Sequence, residues 1–440
     1  MELLYIGAGL RAKAIKNRLQ SMAFPEKPVV YVSREIERAL GSAPSSNYRI
    51  VSGKTLYGES VSADHPGCVT LIDEKSARDG GILGTTELLQ HPSTRSLMDE
   101  LGPEASILVF KNTVRVETAA KALGRRLLNP PASLSERVEN KLSQLRWLGP
   151  LGAKYLPPHA AKLAKYITWK SDEPFVVQWA HGHTGDGTSL VRAPDDLRAI
   201  QDRFPERMAR VTAFVDGPSF TANAVVTKDR VLVANPSYQI TGLPPFTDSS
   251  FTTIGNDWGL AARLLSPDDA SAIRGMAKEI GAKLQADGWK GLFGIDLIKD
   301  ESRGRFYLIE VNARQPASTT FESNLQDAAR KSRGAKGLTT FEAHLRALLD
   351  LPIDQDLVEI ADGAQIIQRV TKNVESIFDD AAKSLEKSGF GTLAYQNTAM
   401  NSDLLRVQSD TSIMSDHKAF NSRGTEIAEA IKRSHLNLKI

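Results

Sequence analysis

Two acidic side chains on neighbouring predicted strands are the residues of this sequence best suited to chemistry. Asp296 lies in the apolar segment LFGIDLIKD and Glu310 in FYLIEVNAR, and a polar turn separates the two segments. Folding them into an antiparallel hairpin brings the two carboxylates near each other across the ladder. Asn312 follows Glu310 by two residues, so its side chain points to the same strand face. Because a lone buried carboxylate is costly, the pair requires a cation, a metal or a hydrogen-bond network.

The two carboxylates and the amide of Asn312 form an oxygen-only ligand set. Mg²⁺ prefers such ligands and fills its other positions with water and phosphate oxygens, and Mn²⁺ accepts the same set. Arg314, on the same predicted strand face, cannot bind a metal, but its guanidinium can hold a phosphate through two hydrogen bonds. The alternative is a buried network of Asp–Arg and Glu–Arg ion pairs. The D…E-x-N-x-R pattern favours metal plus phosphate.

Composition and charge exclude several classes of function. The chain has 440 residues, 41% hydrophobic and 24% charged, which suits a globular protein of roughly two to four domains. Its 55 basic and 52 acidic residues give a net charge of +3, so we expect no nucleic-acid partner. Cys68 is the only cysteine, which suits a reducing cytoplasm. No apolar stretch approaches the ~18 residues of a membrane helix, so we expect no membrane partner.

The predicted pattern of strands and helices divides the chain into three parts. Residues 1–130 alternate short apolar strands with helical patterns, which predicts an α/β domain with a parallel, helix-covered sheet. The Asn-Pro-Pro sequence at 129–131 interrupts this pattern. Residues 131–353 contain predicted antiparallel hairpins and helices, which indicates an α+β domain. Residues 354–440 predict a small C-terminal α+β domain.

The segment GLFGIDLIKDESRGRFYLIEVNAR resembles the metal-binding strands of the ATP-grasp superfamily. The resemblance covers roughly residues 1–350. It implies a Rossmann-like pre-ATP-grasp domain at 1–130, an ATP-grasp nucleotide-binding and catalytic domain at 131–353, and a small domain at 354–440. It also implies that Asp296, Glu310 and Asn312 hold Mg²⁺.

The same resemblance implies the residues that bind ATP phosphates. Lys141, just inside a predicted helix, corresponds to a family lysine, and we expect it to act in catalysis together with Arg314. The family places a second lysine at the end of the next strand, where this sequence has Gln178. A flexible glycine loop over the phosphates follows, and its glycines here are Gly182, Gly185 and Gly187. We expect weaker phosphate binding at the neutral Gln178, unless the loop residues His181 and His183 compensate.

A hinge strand is the family's adenine-binding element. In this sequence it corresponds to Thr212, Ala213, Phe214 and Val215, whose backbone would bond the base while Phe214 packs nearby. The glutamate that holds the ribose in the family is replaced by Ser219. The alternative for this segment is a simple hairpin turning at Asp216-Gly217.

The resemblance implies an ATP-dependent carboxylate–amine ligase. Such an enzyme activates a carboxylate as an acylphosphate, couples it to an amine of an amino acid or peptide-like substrate, and releases ADP and phosphate. A homodimer is possible. Two alternatives remain: a non-catalytic nucleotide-binding module, suggested by Gln178 and Ser219, and an NAD(P)-dependent oxidoreductase, suggested by the glycines Gly7 and Gly9 of IGAGLRA.

Two further segments are candidates for the acceptor site. Residues 235–258 are polar and rich in Gly, Pro, Ser and Thr, which predicts a long functional loop. Residues 314–326 follow the metal strand, and their Ser318, Thr319 and Ser323 are placed to bind a carboxylate or phosphate at a helix start, or simply to cap the helix.

Overall fold

The computed structural model describes residues 27–77, 81–169, 173–180, 187–372 and 379–436. The N-terminal part is a parallel five-stranded sheet in the order β3-β2-β1-β4-β5. The central strand β1, VVYVS, is buried along its whole length because helices cover both faces of the sheet. This confirms the predicted parallel α/β fold, although the predicted strand and helix at residues 1–26 lie outside the described residues. The strands are β1 (Val29–Ser33), β2 (Tyr48–Gly53), β3 (Val69–Ile72), β4 (Ser106–Val109) and β5 (Arg126–Leu127). The helices are α1 (Leu56–Asp64), α2 (Thr85–Gln90), α3 (Pro92–Leu101) and α4 (Val114–Ala122), with a 3₁₀ turn at Ile36–Ala39.

A small antiparallel sheet follows three short helices. Its order is β6-β9-β7-β8, and the predicted hairpin is confirmed by the pairing of Phe175 with Val191. Strand β9 lies between β6 and β7 and carries the predicted hinge at its end. The strands are β6 (His159–Leu163), β7 (Phe175–Trp179), β8 (Thr188–Val191) and β9 (Met208–Ala213). The helices are α5 (Ala132–Glu139), α6 (Lys141–Leu148), α7 (Pro150–Tyr155) and α8 (Pro194–Arg203), with a 3₁₀ turn at Ala164–Tyr166.

The largest sheet is antiparallel and runs in the order β15-β14-β10-β12-β13-β16-β18-β17, with β11 paired to β10. Its strands are β10 (Ser219–Val226), β11 (Val231–Val233), β12 (Ser237–Thr241), β13 (Thr253–Asp257), β14 (Gly291–Asp300), β15 (Arg305–Asn312), β16 (Ala364–Arg369), β17 (Gly391–Ala394) and β18 (Asp403–Ser409). The remaining elements are α9 (Trp258–Leu264), α10 (Pro267–Ala286), α11 (Thr319–Arg333), α12 (Thr340–Leu348), α13 (Asp379–Lys387), α14 (Ser422–Leu436), β19 (Met414–Asp416) and β20 (Ala419–Phe420).

The prediction of one long loop over residues 235–258 is wrong. Strands β12 and β13 occupy both ends of the segment and pair with each other, with Tyr238 opposite Asp257. The alternating residues Tyr238 and Ile240 are buried in the core, as is Ile254. Their burial outweighs the low strand preference of the polar and glycine residues between them.

The C-terminal strands continue the largest sheet, because β16 pairs with β13 across the predicted boundary at residue 353. The predicted domains 131–353 and 354–440 thus share one sheet, and the division into three domains stays a prediction. The main core lies against this sheet and includes Ile280 of α10 and Ile431 of α14. Each such fully buried side chain contributes about 1.5–3 kcal/mol.

The N-terminal sheet is joined to the rest of the chain by an aromatic contact. Phe341 of α12 is fully buried and packs against Tyr31 and Tyr48, with ring centroids 6.2 and 6.3 Å away. In the described residues, no helix has the length and apolar character needed to span a membrane.

Candidate active site

The predicted carboxylate pair lies on one hairpin. Asp296 of β14 is directly opposite Glu310 of β15, and a bulge follows before Leu297 pairs with Leu308. Asp296 is buried and accepts hydrogen bonds from Thr221 Oγ1 at 2.7 Å and Asn312 Nδ2 at 3.0 Å. Ile309 has no partner in the register because of the bulge, and its carbonyl accepts from Arg210 Nη2 at 2.9 Å. The predicted acidic pair and its amide neighbour thus form one connected group.

The pKa values of the two carboxyl groups are shifted in opposite directions. Burial raises the pKa of Asp296 to about 7, and the negative charge of Glu310 adds to the effect. Burial also opposes ionisation of Glu310, but the nearby charges of Lys141, Arg314 and Arg210 outweigh it and lower its pKa to about 2. Two close carboxylates commonly divide in this way because both resist being charged together. A bound cation removes that conflict.

Lys141 is held at the first position of α6, as predicted. Asn140 caps this helix by accepting from the N–H groups of Leu142 and Ser143, and the Lys141 N–H donates to the Ala180 carbonyl. The buried side chain reaches Glu310, where Nζ lies 2.9 Å from Oε2. Lys141 therefore neutralises Glu310 in this structure.

A cavity of about 300 Å³ lies between the small and large sheets. Its wall includes the proposed nucleotide residues Lys141, Gln178, Thr212, Ala213, Phe214, Val215 and Ser219, together with Asp296 and Glu310. The rest of the wall combines apolar side chains such as Leu308 with cations such as Arg192. A cavity with apolar and cationic walls suits a ligand that has an apolar ring and a charged tail.

The hinge backbone is partly engaged. The N–H of Ala213 donates to the Pro158 carbonyl at 2.9 Å, and the N–H of Phe214 donates to the Pro174 carbonyl at 3.2 Å. A bound base would therefore meet the carbonyl groups of these residues and the backbone of Val215 beyond them.

Gln178 contacts a buried arginine that sequence reasoning missed. Arg210 of β9 pairs in register with Gln178 of β7, and its Nε and Nη2 donate to Gln178 Oε1 at 3.0 and 2.6 Å. Arg210 also lines the cavity. The only sequence signal for Arg210 was its place in the alternating strand MARVTA, and this pattern did not distinguish it from a surface arginine.

The glycine loop is described only at its end. Gly182 and Gly185, with His181 and His183, lie outside the described residues. Gly187 has a positive φ of 79° and its carbonyl accepts from the Trp179 N–H at 3.0 Å, which closes the β7–β8 connection. The following Thr188 lines the cavity and accepts from Gln178 Nε2 at 3.3 Å.

Arg314 lies beside the cavity rather than in its described wall. Its Nη1 donates to Glu139 Oε1, and the other oxygen of Glu139 pairs with Lys111 at 2.6 Å. The Glu139 charge, with those of Glu310 and Asp296, raises the pKa of Arg314 despite its burial. The expectation that Arg314 points into the same cavity as Glu310 thus differs from its position here, because Glu139 holds the guanidinium at the end of α5.

A C-terminal hairpin turn also lines the cavity. His417 and Lys418 connect β19 to β20, and Tyr238 OH lies 2.9 Å from His417 Nδ1 while it accepts from the Lys418 N–H at 3.2 Å. Buried Asp257 fixes the start of this hairpin by accepting from the N–H groups of Ile413 and Met414. These two residues could not be assigned from the sequence, since they are distant in the chain from every motif.

The two predicted acceptor segments behave differently. Residues of the 235–258 segment line the cavity: Gln239, Thr241, Ser250, Phe251 and Thr253. In the 314–326 segment, Ser318 Oγ accepts from Asn223, Thr319 begins α11 and Ser323 Oγ accepts from the Phe341 N–H. Ser318 is the N-cap residue but makes no side-chain cap bond. Ser318 and Ser323 therefore have structural partners.

The donor set fits a hard cation such as Mg²⁺. Asp296 and Glu310 supply two facing carboxylates and Asn312 an amide, and these are ligands that Mg²⁺ accepts. In the described ranges, no group of three or more His, Cys, Asp or Glu side chains is arranged for a metal, so a cation here requires the amide, water or ligand oxygens. Asn312 donates its Nδ2 to Asp296, so the amide must turn before its oxygen can bind a cation.

We expect Gly217→Ala to weaken nucleotide binding and to lower stability by about 1–3 kcal/mol. Gly217 follows the hinge, has a φ of 152° and lines the cavity. A Cβ there would lie 2.0 Å from the Lys299 carbonyl oxygen, so the hinge must move away from β14. Thermal denaturation and ATP titration measure the two effects. Gly304→Ala, at a positive φ in an open turn, is the matched control, and equal effects in both variants would contradict the account.

Comparisons with known proteins agree with this geometry. The family model described as an ATP-grasp domain matches residues 138–318, which include the carboxylate pair, the hinge and Lys141. No curated protein sequence shows significant similarity to the chain.

Solved structures with low sequence identity share the fold over nearly their whole length. N5-carboxyaminoimidazole synthase from Aspergillus clavatus, in complex with ADP and 5-aminoimidazole ribonucleotide, is 16% identical with a TM-score of 0.60, covering 93% of this chain and 99% of that one. L-amino acid ligase from Bacillus licheniformis is 16% identical with a TM-score of 0.59, covering 94% and 98%. N5-carboxyaminoimidazole ribonucleotide synthetase from Thermus thermophilus is 15% identical with a TM-score of 0.55, covering 92% and 97%.

Proposed function

We propose that this chain, whose residues 138–318 match an ATP-grasp domain model, is an ATP-dependent ligase that activates a carboxylate as an acylphosphate and couples it to an amine. The observation that carries the proposal is the direct pairing of Asp296 with Glu310 in the wall of a cavity that also contains Lys141 and the hinge. Structural neighbours that include an L-amino acid ligase support the reaction class. ADP and phosphate are the expected products.

The nucleotide would lie in the cavity of about 300 Å³. The base would meet the hinge at Thr212–Val215, near the Phe214 ring, and the ribose would lie near Ser219. Ser219 cannot make the charge-assisted ribose contact of a glutamate, and the hairpin turn at His417 and Lys418 offers other polar groups in the same cavity wall.

Cation binding would rearrange the charges at the carboxylate pair. Bound Mg²⁺ supplies charge neutralisation for the transferred phosphoryl group. Glu310 and Asp296 would hold it, and Lys141 would then leave Glu310 to reach the phosphates. The cation would favour the ionised form of Asp296, whose pKa burial raises to about 7. The chain would thus exchange an internal ion pair for contacts with the nucleotide.

A second cavity, of about 280 Å³, is a candidate for the carboxylate substrate. It lies between the N-terminal sheet and the C-terminal strands, with Arg34, Arg38 and Asn397 in its wall. Arg34 Nε is buried without a hydrogen-bond partner among the described residues. Arg38 Nη1 donates to the Ala317 carbonyl at 3.1 Å, which links this cavity to the segment that follows Arg314. Arg34 Nη2 already donates to Asn397 Oδ1 at 2.9 Å, and the wall also contains Glu35 and Asp403, so a carboxylate substrate would approach the remaining Nε–H of Arg34.

Arg314→Lys is expected to reduce turnover by about 100-fold while ATP affinity changes by less than about threefold. To hold a phosphoryl group or carboxylate, Arg314 would have to leave Glu139 and turn toward the cavity. Lysine keeps the charge but loses the planar fork that this contact requires. Initial rates of ADP formation and ATP titration separate the two effects. Arg333→Lys, at the exposed end of α11, is the control. An Arg314→Lys variant with normal turnover would show that Arg314 serves only to pair with Glu139.

The experiment that tests the proposal is a screen of amino acids and small carboxylates with Mg-ATP. Reaction mixtures are separated to identify the nucleotide product. Release of ADP that depends on a carboxylate and an amine supports the ligase. AMP with pyrophosphate indicates adenylation and overturns it. ATP binding without any nucleotide product, across the whole screen, favours a non-catalytic nucleotide-binding module instead.

A further inference from the structure

Arg210 is a buried cation whose direct partners among the described residues are all neutral. It is 1% exposed, and its four hydrogen bonds end on amide or peptide oxygens. Two reach Gln178 Oε1, one reaches Gln144 Oε1 at 3.3 Å, and one reaches the Ile309 carbonyl at 2.9 Å. A buried charge is costly unless an opposite charge accompanies it. The arrangement therefore leaves a positive charge that an anion in the cavity would stabilise.

The nearest acidic group does not remove this charge. Glu310 lies next to Ile309, but its carboxylate pairs with Lys141 at 2.9 Å. Burial lowers the pKa of Arg210 to about 10, and the charge of Glu310 offsets only part of that effect. Arginine remains protonated at neutral pH under these conditions. If a bound cation takes Glu310 as a ligand, both Lys141 and Arg210 face the cavity with less opposing charge.

Gln178 has the geometry of a positioning residue. Its Oε1 accepts from both Nε and Nη2 of Arg210, so it fixes the plane of the guanidinium. Its Nε2 donates to Thr188 Oγ1, which fixes the amide in turn. A lysine at this position would bring an ammonium group against the guanidinium and would have no acceptor to offer. Arg210 therefore requires a neutral hydrogen-bond acceptor at position 178, which glutamine provides and lysine does not.

We propose that Arg210 binds the phosphate groups of the nucleoside triphosphate and that Gln178 positions it for this contact. The family resemblance implies a lysine on β7, where this chain has Gln178. Here Arg210 on the neighbouring strand β9 supplies a positive charge to the same cavity. This inference rests on the proposed function, because it requires that the cavity binds ATP. It assigns Gln178 no direct role in phosphate binding.

The test is a charge exchange between the two strands. Wild type, Arg210→Met, Gln178→Lys and the double variant are titrated with ATP and with adenosine, and each is checked by thermal denaturation. Arg198→Met, which removes an exposed arginine of α8, is the control. Arg210→Met is expected to bind ATP roughly 10- to 100-fold more weakly, with adenosine affinity within about threefold of wild type. Gln178→Lys is expected to melt at lower temperature and to gain no ATP affinity.

The double variant returns a cation to β7 and removes the one on β9. It is expected to bind ATP at least about tenfold more tightly than Arg210→Met does. Unchanged ATP affinity in Arg210→Met, equal losses for ATP and adenosine, or a double variant no better than Arg210→Met would each overturn the role of Arg210. Should Arg210→Met fail to fold, Arg210→Lys is titrated in its place: weaker ATP binding with unchanged adenosine affinity supports the proposal, and unchanged ATP affinity overturns it. If wild type itself does not bind ATP, the proposed function fails as well.

Discussion

Replacing Glu310 by glutamine is expected to lower ATP-dependent turnover by about 100-fold or more. Glutamine has nearly the same shape but carries no charge, so the proposed cation site keeps only one carboxylate, Asp296. The change also leaves Lys141 without its ion-pair partner, which the wild type holds at 2.9 Å. Nucleotide affinity should fall less than turnover, since the hinge and Arg210 are untouched.

The measurement is the initial rate of ADP formation over a range of Mg²⁺ concentrations. Glu301→Gln, in the exposed turn of the same hairpin, is the matched control. Thermal denaturation shows whether the variant is folded at the assay temperature. Turnover within a few-fold of wild type, in a folded Glu310→Gln variant, would contradict the assignment of Glu310 as a metal ligand.

Lys141→Met is expected to weaken ATP binding by roughly 10- to 100-fold. Methionine fills a similar volume in this buried position but offers no charge to the phosphates. Because Lys141 holds the pKa of Glu310 low, the substitution should also raise that pKa. ATP titration measures the affinity, and the pH at which Mg-ATP binding is lost should shift upward in the variant.

An exposed lysine serves as the control for this change. Lys154 pairs with Glu279 on the surface, where an ion pair contributes about 1 kcal/mol or less. Lys154→Met should therefore bind ATP like wild type. Normal ATP affinity in Lys141→Met would mean that Lys141 only neutralises Glu310 and takes no part in nucleotide binding.

Local sequence patterns predicted the part of the site that lies on one hairpin. The apolar alternation around Asp296 and Glu310, with a short polar turn between them, predicted the two strands. The pairing next to the turn would by itself place Asp296 opposite Ile309, and the bulge after Asp296 brings Glu310 opposite it instead. Lys141 was placed by the resemblance of its segment to the ATP-grasp family, and in the structure Asn140 caps the helix that Lys141 begins. Each of these features depends on residues close together in the chain.

Features that depend on distant residues could not be predicted. Arg210 meets Gln178 only because β9 pairs with β7, and their register is a property of the folded sheet. The turn at His417 and Lys418 reaches the cavity because Asp257 holds the C-terminal hairpin. Strand β16 extends the largest sheet by pairing with β13, which is also distant from it in the chain. Arg314 was expected in the cavity from strand alternation alone, whereas Glu139 draws it to α5.

Transfer of oxygen from the carboxylate substrate to phosphate tests the central claim most directly. In the proposed reaction a carboxylate oxygen attacks the γ-phosphorus of ATP, and the bond from that oxygen to carbon breaks when the amine attacks. A carboxylate that supports nucleotide turnover is labelled with ¹⁸O, and the products are analysed by mass spectrometry. The account predicts one ¹⁸O atom in inorganic phosphate, with ADP unlabelled. Label in AMP, or phosphate released without label, would contradict it.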